Sequence, residues 1–171
     1  MGAGLTRRPG LSCLDETLAL IARDVVMARA AGFGSSKSTK PCPCLSGGSY
    51  EICCEPLHRG EQQAATAEQL MRSRYSAFAF AEVDYLIATH SASETPMARH
   101  RKELHESCHE MRWLKLKIMA VQAGGVDDLE GTVAFEATYQ AGGQRSVMKE
   151  LSLFQRRDRD CKGDWLYIKA L

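Results

Sequence analysis

The sequence predicts an α+β fold, with helices packed on one face of a curved antiparallel sheet and a small cysteine-rich module ahead of them. Between Thr66 and Met111 apolar residues recur at helical spacing, and after Trp113 the period changes from 3.6 to 2. The alternating stretches are joined by short turn signals, so consecutive strands pair as neighbours and no crossover helix separates them.

The elements follow in order. Thr66 is a suitable N-cap, with Gln69 three residues on as capping-box partner, and the helix after it carries Leu70, Met71, Tyr75 and Phe78. A second helical piece puts Val83, Leu86, Ile87 and His90 on one stripe. Thr95-Pro96 opens a third helix with Pro96 at N1, where its missing N–H costs nothing. Met97, Leu104, Cys108 and Met111 form its apolar stripe. Then Leu114, Leu116, Ile118 and Ala120 alternate with Lys115 and Lys117, and Val133, Phe135, Ala137 and Tyr139 alternate next. Gly142-Gly143 makes a turn into a strand over 146–154, and Lys162-Gly163-Asp164 turns into a last strand over 165–170.

Composition sets the class. With 171 residues, 44% hydrophobic and 25% charged, the chain can bury a core without disulfides. Twenty-two basic against 21 acidic residues leave a net charge of +1, which argues against a strongly basic nucleic-acid binder. No run of ~18 apolar residues reads as a membrane span. The chain divides into an extension (1–40), the cysteine module (41–60) and the α+β domain (61–171). In the extension Leu18, Ile21, Val25 and Ala28 recur at helical spacing before a Gly/Ser-rich linker, and the segment reads as a partly disordered tail. The competing reading, an organellar transit peptide, is opposed by Asp15, Glu16 and Asp24. The apolar run 18–22 is short and is followed at once by Arg23 and Asp24, which is wrong for a secretory signal, so a reducing cytoplasmic setting is expected.

Seven cysteines stand in the chain, four of them within residues 42–54. In a reducing compartment a cluster of this kind reads as metal ligands. Cys42 and Cys44 can reach one ion from a single turn, and 46–49 let Cys53 and Cys54 fold back. Four thiolates make the closed tetrahedral set of a structural Zn²⁺ site. A disulfide or free thiols is the competing reading. Of the scattered cysteines, Cys108 falls on an apolar stripe and Cys161 at a charged hairpin tip.

The run Cys42-Pro-Cys44-Leu-Ser-Gly-Gly-Ser-Tyr50-Glu-Ile-Cys53-Cys54 resembles the SEC-C zinc motif, which ends the bacterial preprotein translocase motor and occurs on several small proteins. Leu45 stands where the motif usually has Gly, and Gly48 and Ser49 where it usually has a Lys pair. Further on, Leu70-Met-Arg-Ser-Arg-Tyr-Ser-Ala-Phe78, Asp84-Tyr-Leu86 with Thr89-His90, Glu150-x-Ser152-x-Phe154 and Trp165-x-Tyr167 resemble the YchJ family. The resemblance runs from about Pro41 to the C-terminus. It implies a zinc motif followed by a nuclear-transport-factor-2-like domain, a cone-shaped α+β fold. It also implies a protein of unassigned role whose zinc motif docks a protein or ribosomal partner. Some family members carry a second cysteine motif at the C-terminus, and the sequence to Leu171 holds none.

Two further constellations carry chemistry. Arg72, Arg74, Tyr75, His90, Tyr139, Glu150, Ser152, Trp165 and Tyr167 are candidates to line a pocket between helices and sheet, taking a small-molecule ligand or substrate. The competing reading, which ranks ahead, is a buried Arg–Glu150 ion pair within an aromatic core. No nucleophile–base–orienter set is recognisable, so catalysis is not the leading expectation. His105-Glu106-Ser-Cys-His109 fits H-E-x-x-H, but Arg99, Arg101, Lys102, Glu103 and Glu110 surround it and no third ligand is evident. A metallohydrolase is therefore the weakest alternative.

Overall fold

A computed structural model of the chain describes residues 40–91 and 95–171; the expectations for residues 1–39 lie outside them. A single 3₁₀ turn (Tyr50–Ile52) and the short helix α1 (Glu55–His58) belong to the cysteine module. Helices α2 (Ala67–Phe80), α3 (Val83–Ala88) and α4 (Met97–Glu110) come next. Strands β1 (Arg112–Ala123), β2 (Glu130–Ala141), β3 (Gln144–Arg156) and β4 (Trp165–Ala170) then form one antiparallel sheet in sequential order. This is the α+β arrangement expected, with helices on one face of the sheet.

Local chemistry explains the elements. Thr66 caps α2, its Oγ1 accepting from the Gln69 N–H at 3.1 Å. Gln69 returns the favour one residue early, accepting from the Ala65 N–H at 2.7 Å. In β2, Val133, Phe135 and Ala137 point inward and Thr132, Ala134 and Glu136 outward, as a half-buried strand requires. Leu70, Met71 and Tyr75 of α2 lie on this face together with Phe154 and Trp165. A second cluster joins Ala77, Val83, Leu86 and Leu104.

Three expectations need correction. The alternation in β1 is interrupted by irregularities between Trp113 and Lys115 and between Ile118 and Ala120. A bulge shifts the parity, so Trp113 joins Leu116 and Ile118 on the core side, while Ala120 is exposed. Pro96 is the N-cap of α4, with extended ψ, and the first helical residue, Met97, is exposed. Helix α3 stops at Ala88, so His90 leaves the helical stripe and pairs with Tyr167 in an isolated parallel bridge. The Tyr167 N–H donates to Thr89 O at 2.8 Å and the Ser91 N–H to Tyr167 O at 2.9 Å, clamping 89–91 onto β4.

The N-terminus of α2 sits on the β1–β2 connection through two glycines. A Cβ on Gly131 would lie 2.4 Å from Gly124 Cα, and one on Gly124 would lie 2.6 Å from Ala67 Cβ. Backbone must move to admit either. Gly131→Ala is expected to cost about 2 kcal/mol, in the range of overpacked interiors. An unchanged denaturant midpoint would show that the contact yields freely.

Candidate functional site

The cysteine knuckle is a small hairpin. Pro41 pairs with Ser49, the Cys42 N–H donates to Gly48 O at 3.0 Å, and the Tyr50 N–H donates to Lys40 O at 2.9 Å. Cys42 and Cys44 lie on the first arm, and the Leu45 N–H closes the turn on Cys42 O at 3.1 Å. Cys53 ends the 3₁₀ turn and Cys54 caps α1. The fold thereby brings together the four cysteines that the sequence singled out.

Their sulfurs all lie within 4.8 Å of one another, with Cys44 to Cys53 at 3.5 Å and Cys53 to Cys54 at 3.8 Å. Metal–sulfur bonds of ~2.3 Å in a tetrahedron set neighbouring sulfurs about 3.8 Å apart. The separations therefore suit one tetrahedral ion. Cys42, Cys44 and Cys54 are buried and Cys53 is half-buried, and four cysteines make the complete ligand set of a structural site. Ser46 Oγ lies 3.3 Å from Cys44 Sγ and 3.0 Å from Cys53 Sγ. Hydrogen bonds with Cys42 and Cys54 hold the Cys44 thiol far below its ordinary range. The bond with Cys44, reinforced by burial, pushes Cys42 up to about 12. Bonds with Cys42 and Cys44 raise Cys54 as well. Sulfurs packed this closely carry one negative charge readily and resist a second. A divalent cation removes that resistance, since metal binding drives the thiols to ionise.

The knuckle docks on α2 through polar contacts. Arg72, expected in the pocket, instead donates from Nη1 to Cys44 O at 2.9 Å while its Nε donates to Glu68 at 2.8 Å. His58 bonds Tyr50 OH through Nδ1 and Ser73 O through Nε2, both at 2.9 Å. A carbonyl only accepts, so Nε2 carries the proton and Nδ1 accepts from the tyrosine. Burial lowers the His58 pKa, which favours this neutral form. Its ring also lies tilted against Tyr85 with centres 4.7 Å apart, and Tyr50 packs edge-on to Phe80 at 4.5 Å.

A separate cavity of about 320 Å³ opens between α2, α4 and the inner face of the sheet. Of the residues singled out in the sequence, Arg74, Tyr75, His90, Glu150, Ser152 and Tyr167 line it. Tyr139 does not; it lies against Trp113 with ring centres 5.8 Å apart. Trp165 does not either. Its indole N–H donates to Ala65 O at 3.1 Å beneath the start of α2, and Arg156 stacks 4.5 Å above its ring. The expected Arg–Glu150 ion pair does not form among the described residues. Arg74 donates from Nη1 to Leu86 O at 2.8 Å and Thr89 Oγ1 at 2.7 Å. Glu150 Oε1 accepts from Ser152 at 2.5 Å and Tyr167 OH at 3.3 Å. Burial lowers the Arg74 pKa to about 10, which still leaves it charged at neutral pH.

Helix α4 supplies a further wall, in which Leu104 and Met111 belong to the apolar stripe read from the sequence and His100 and Ser107 are additions. The four recur at helical spacing, and the charged run around His100 hides its place among them. On the other side of α4, His105, Glu106 and His109 are exposed. The two imidazole Nε2 atoms lie 3.3 Å apart, and Lys102 engages Glu106 at 3.7 Å. Among the described residues the four cysteines are the one cluster of three or more potential metal ligands. Replacing His105 and His109 together by Ala is expected to leave metal content unchanged, with stability altered by no more than about 0.5 kcal/mol. A second stoichiometric metal lost in that double variant would contradict this assignment.

A family model described as "YchJ, middle NTF2-like domain" matches residues 66–170, more than half of the chain. The chain belongs to the YchJ family. Relatives of this YchJ chain include a UPF0225 protein of Chromobacterium violaceum, 40% identical over 131 residues, covering 76% of this chain and 91% of the relative. A UPF0225 protein of Pectobacterium carotovorum is 41% identical over 136 residues, covering 78% and 84%. The solution structure of a SEC-C motif containing protein from Rhodopseudomonas palustris is 30% identical with a TM-score of 0.63, covering 76% of this chain and 96% of that one. The crystal structure of a SEC-C motif containing protein from Psychrobacter arcticus is 26% identical with a TM-score of 0.60, covering 77% and 81%. Against the SEC-C pattern, Leu45 gains a physical meaning. It sits at φ 57°, the left-handed region, where the motif's usual glycine avoids a Cβ clash. Among the described residues of this YchJ chain, no helix is long and apolar enough to cross a membrane.

Proposed function

We propose that the four cysteines hold one structural Zn²⁺ and that the chain is a docking module whose knuckle engages a protein surface, a ribosomal protein included. Zinc is favoured because an all-thiolate tetrahedral set selects a soft, d¹⁰ ion. The spacing of the sulfurs suits a single ion and is too tight to enclose a multi-iron cluster. The observation that carries the docking reading is the exposure of Leu45 and Ile52. Both belong to the knuckle, and they are 52% and 80% exposed although aliphatic. A closed metal centre holds the short loop that presents them in one shape, which lowers the ordering cost of binding.

The test compares tagged wild-type protein with a Leu45→Glu/Ile52→Glu double variant by cross-linking in cells. The variant should keep one zinc per chain and lose a protein that the wild type retains. Identical captured sets, or no retained protein with either, would overturn the docking reading.

A further inference from the structure

The cavity between α2, α4 and the sheet holds two opposite charges that do not meet. Arg74 is only 7% exposed, and among the described residues its hydrogen bonds go to neutral groups and leave from Nη1 alone. Glu150 stands on the strand floor, held by the hydroxyls of Ser152 and Tyr167. Tyr167 lies between the two, its ring centre 4.9 Å from the Arg74 guanidinium carbon and its OH on the Glu150 carboxylate. Arg74 is buried and Glu150 half-buried; charges so placed are normally paired, and here the pairing within the protein is incomplete. Two more buried polar atoms of the lining, His100 Nε2 and Trp113 Nε1, have no hydrogen-bond partner.

The charges constrain what fits. A simple anion that satisfied Arg74 would meet Glu150, and a simple cation would meet the reverse. A neutral apolar molecule would strip water from both and pair neither. A dipolar ion satisfies both at once. The rest of the wall, including Met71, Phe78, Leu104, Phe135 and Phe154, suits an apolar body. The volume, about 320 Å³, lies at the small end of the ~300–1,000 Å³ typical of ligand sites.

We propose that this cavity binds a single free amino acid with an apolar side chain, its carboxylate on Arg74 and its ammonium on Glu150. The inference is independent of the knuckle, since none of these residues belongs to it.

Isothermal titration of the full chain with L-leucine, L-methionine and L-phenylalanine tests it. At least one should bind saturably with one site per chain. Its amide, which lacks the carboxylate, and its N-acetyl form, which lacks the ammonium, should each bind at least tenfold more weakly. Glu150→Gln should weaken the free amino acid at least tenfold while sparing the N-acetyl form, and circular dichroism should show the variant folded. Binding of none of the three at millimolar concentration would overturn the proposal. So would equal binding of the blocked analogues, or a folded Glu150→Gln protein that binds the free amino acid unchanged. The two analogue arms stand on the unaltered protein, so they decide the matter even if the variant does not fold.

Discussion

Replacing Cys54 by Ser is expected to abolish stoichiometric metal binding and release the knuckle from α2. Cys54 is fully buried, caps α1 and has its Sγ 3.8 Å from Cys53 Sγ, at the centre of the thiol cluster. Serine keeps the shape but gives up a thiolate, and a hydroxyl is a poor ligand for a soft ion. Structural zinc contributes about 10–16 kcal/mol to small metal-dependent folds, and the knuckle's own buried cluster is little more than the cysteines themselves. Losing one ligand of four therefore removes most of what orders residues 41–54. The α+β domain has its own apolar clusters on α2–α4 and the sheet. Far-ultraviolet circular dichroism should stay largely intact while protease cleavage appears in the knuckle and zinc falls from about one per chain to near zero, as the closed four-ligand site requires. Retention of full zinc by the variant, or collapse of the whole spectrum, would contradict this division of stability.

The second large effect is expected at Trp165. The side chain is 2% exposed, packs in the main cluster with Ala64, Ala67 and Leu70, and ties Ala65 to the sheet through its indole N–H. Arg156 covers the ring face. Trp165→Ala leaves a cavity beneath the start of α2, takes away one of the two hydrogen bonds on the Ala65 carbonyl (the other comes from Arg156 Nη2 at 3.1 Å) and removes the cation–π contact. Truncation of a buried Trp costs about 3–5 kcal/mol. For a chain of this size that lowers the thermal midpoint by roughly 10 °C. A shift of a degree or two would mean that α2 is not anchored there.

Much of this was legible in the sequence because each signal was local. Thr66 and Gln69 announce the start of α2, the Val133–Phe135–Ala137 alternation announces β2, and the tight cysteine spacing announces the knuckle. Glu150, Ser152 and Phe154 share a face by strand parity, and their place on the cavity floor follows from it. What failed depended on distant contacts. Arg72 and Arg74 are two residues apart on one helix and so point to different sides. Arg74 faces the cavity and Arg72 the knuckle. Trp165 and Tyr167 share a face of β4, yet two residues of strand rise separate the α2 anchor from the cavity. His100 was hidden by its charged neighbours, and the irregular register of β1 moved Trp113 to the inner face by means no periodicity reveals.

Native mass spectrometry of the freshly purified chain under non-reducing conditions tests the central claim most directly. The account predicts a folded species carrying one zinc ion, with the protons of the metal-bound thiols displaced. Cys54→Ser should then appear metal-free. A metal-free wild-type chain lighter by the hydrogens of one or two disulfides among Cys42, Cys44, Cys53 and Cys54 would contradict it, as would a metal-free chain with all four thiols intact.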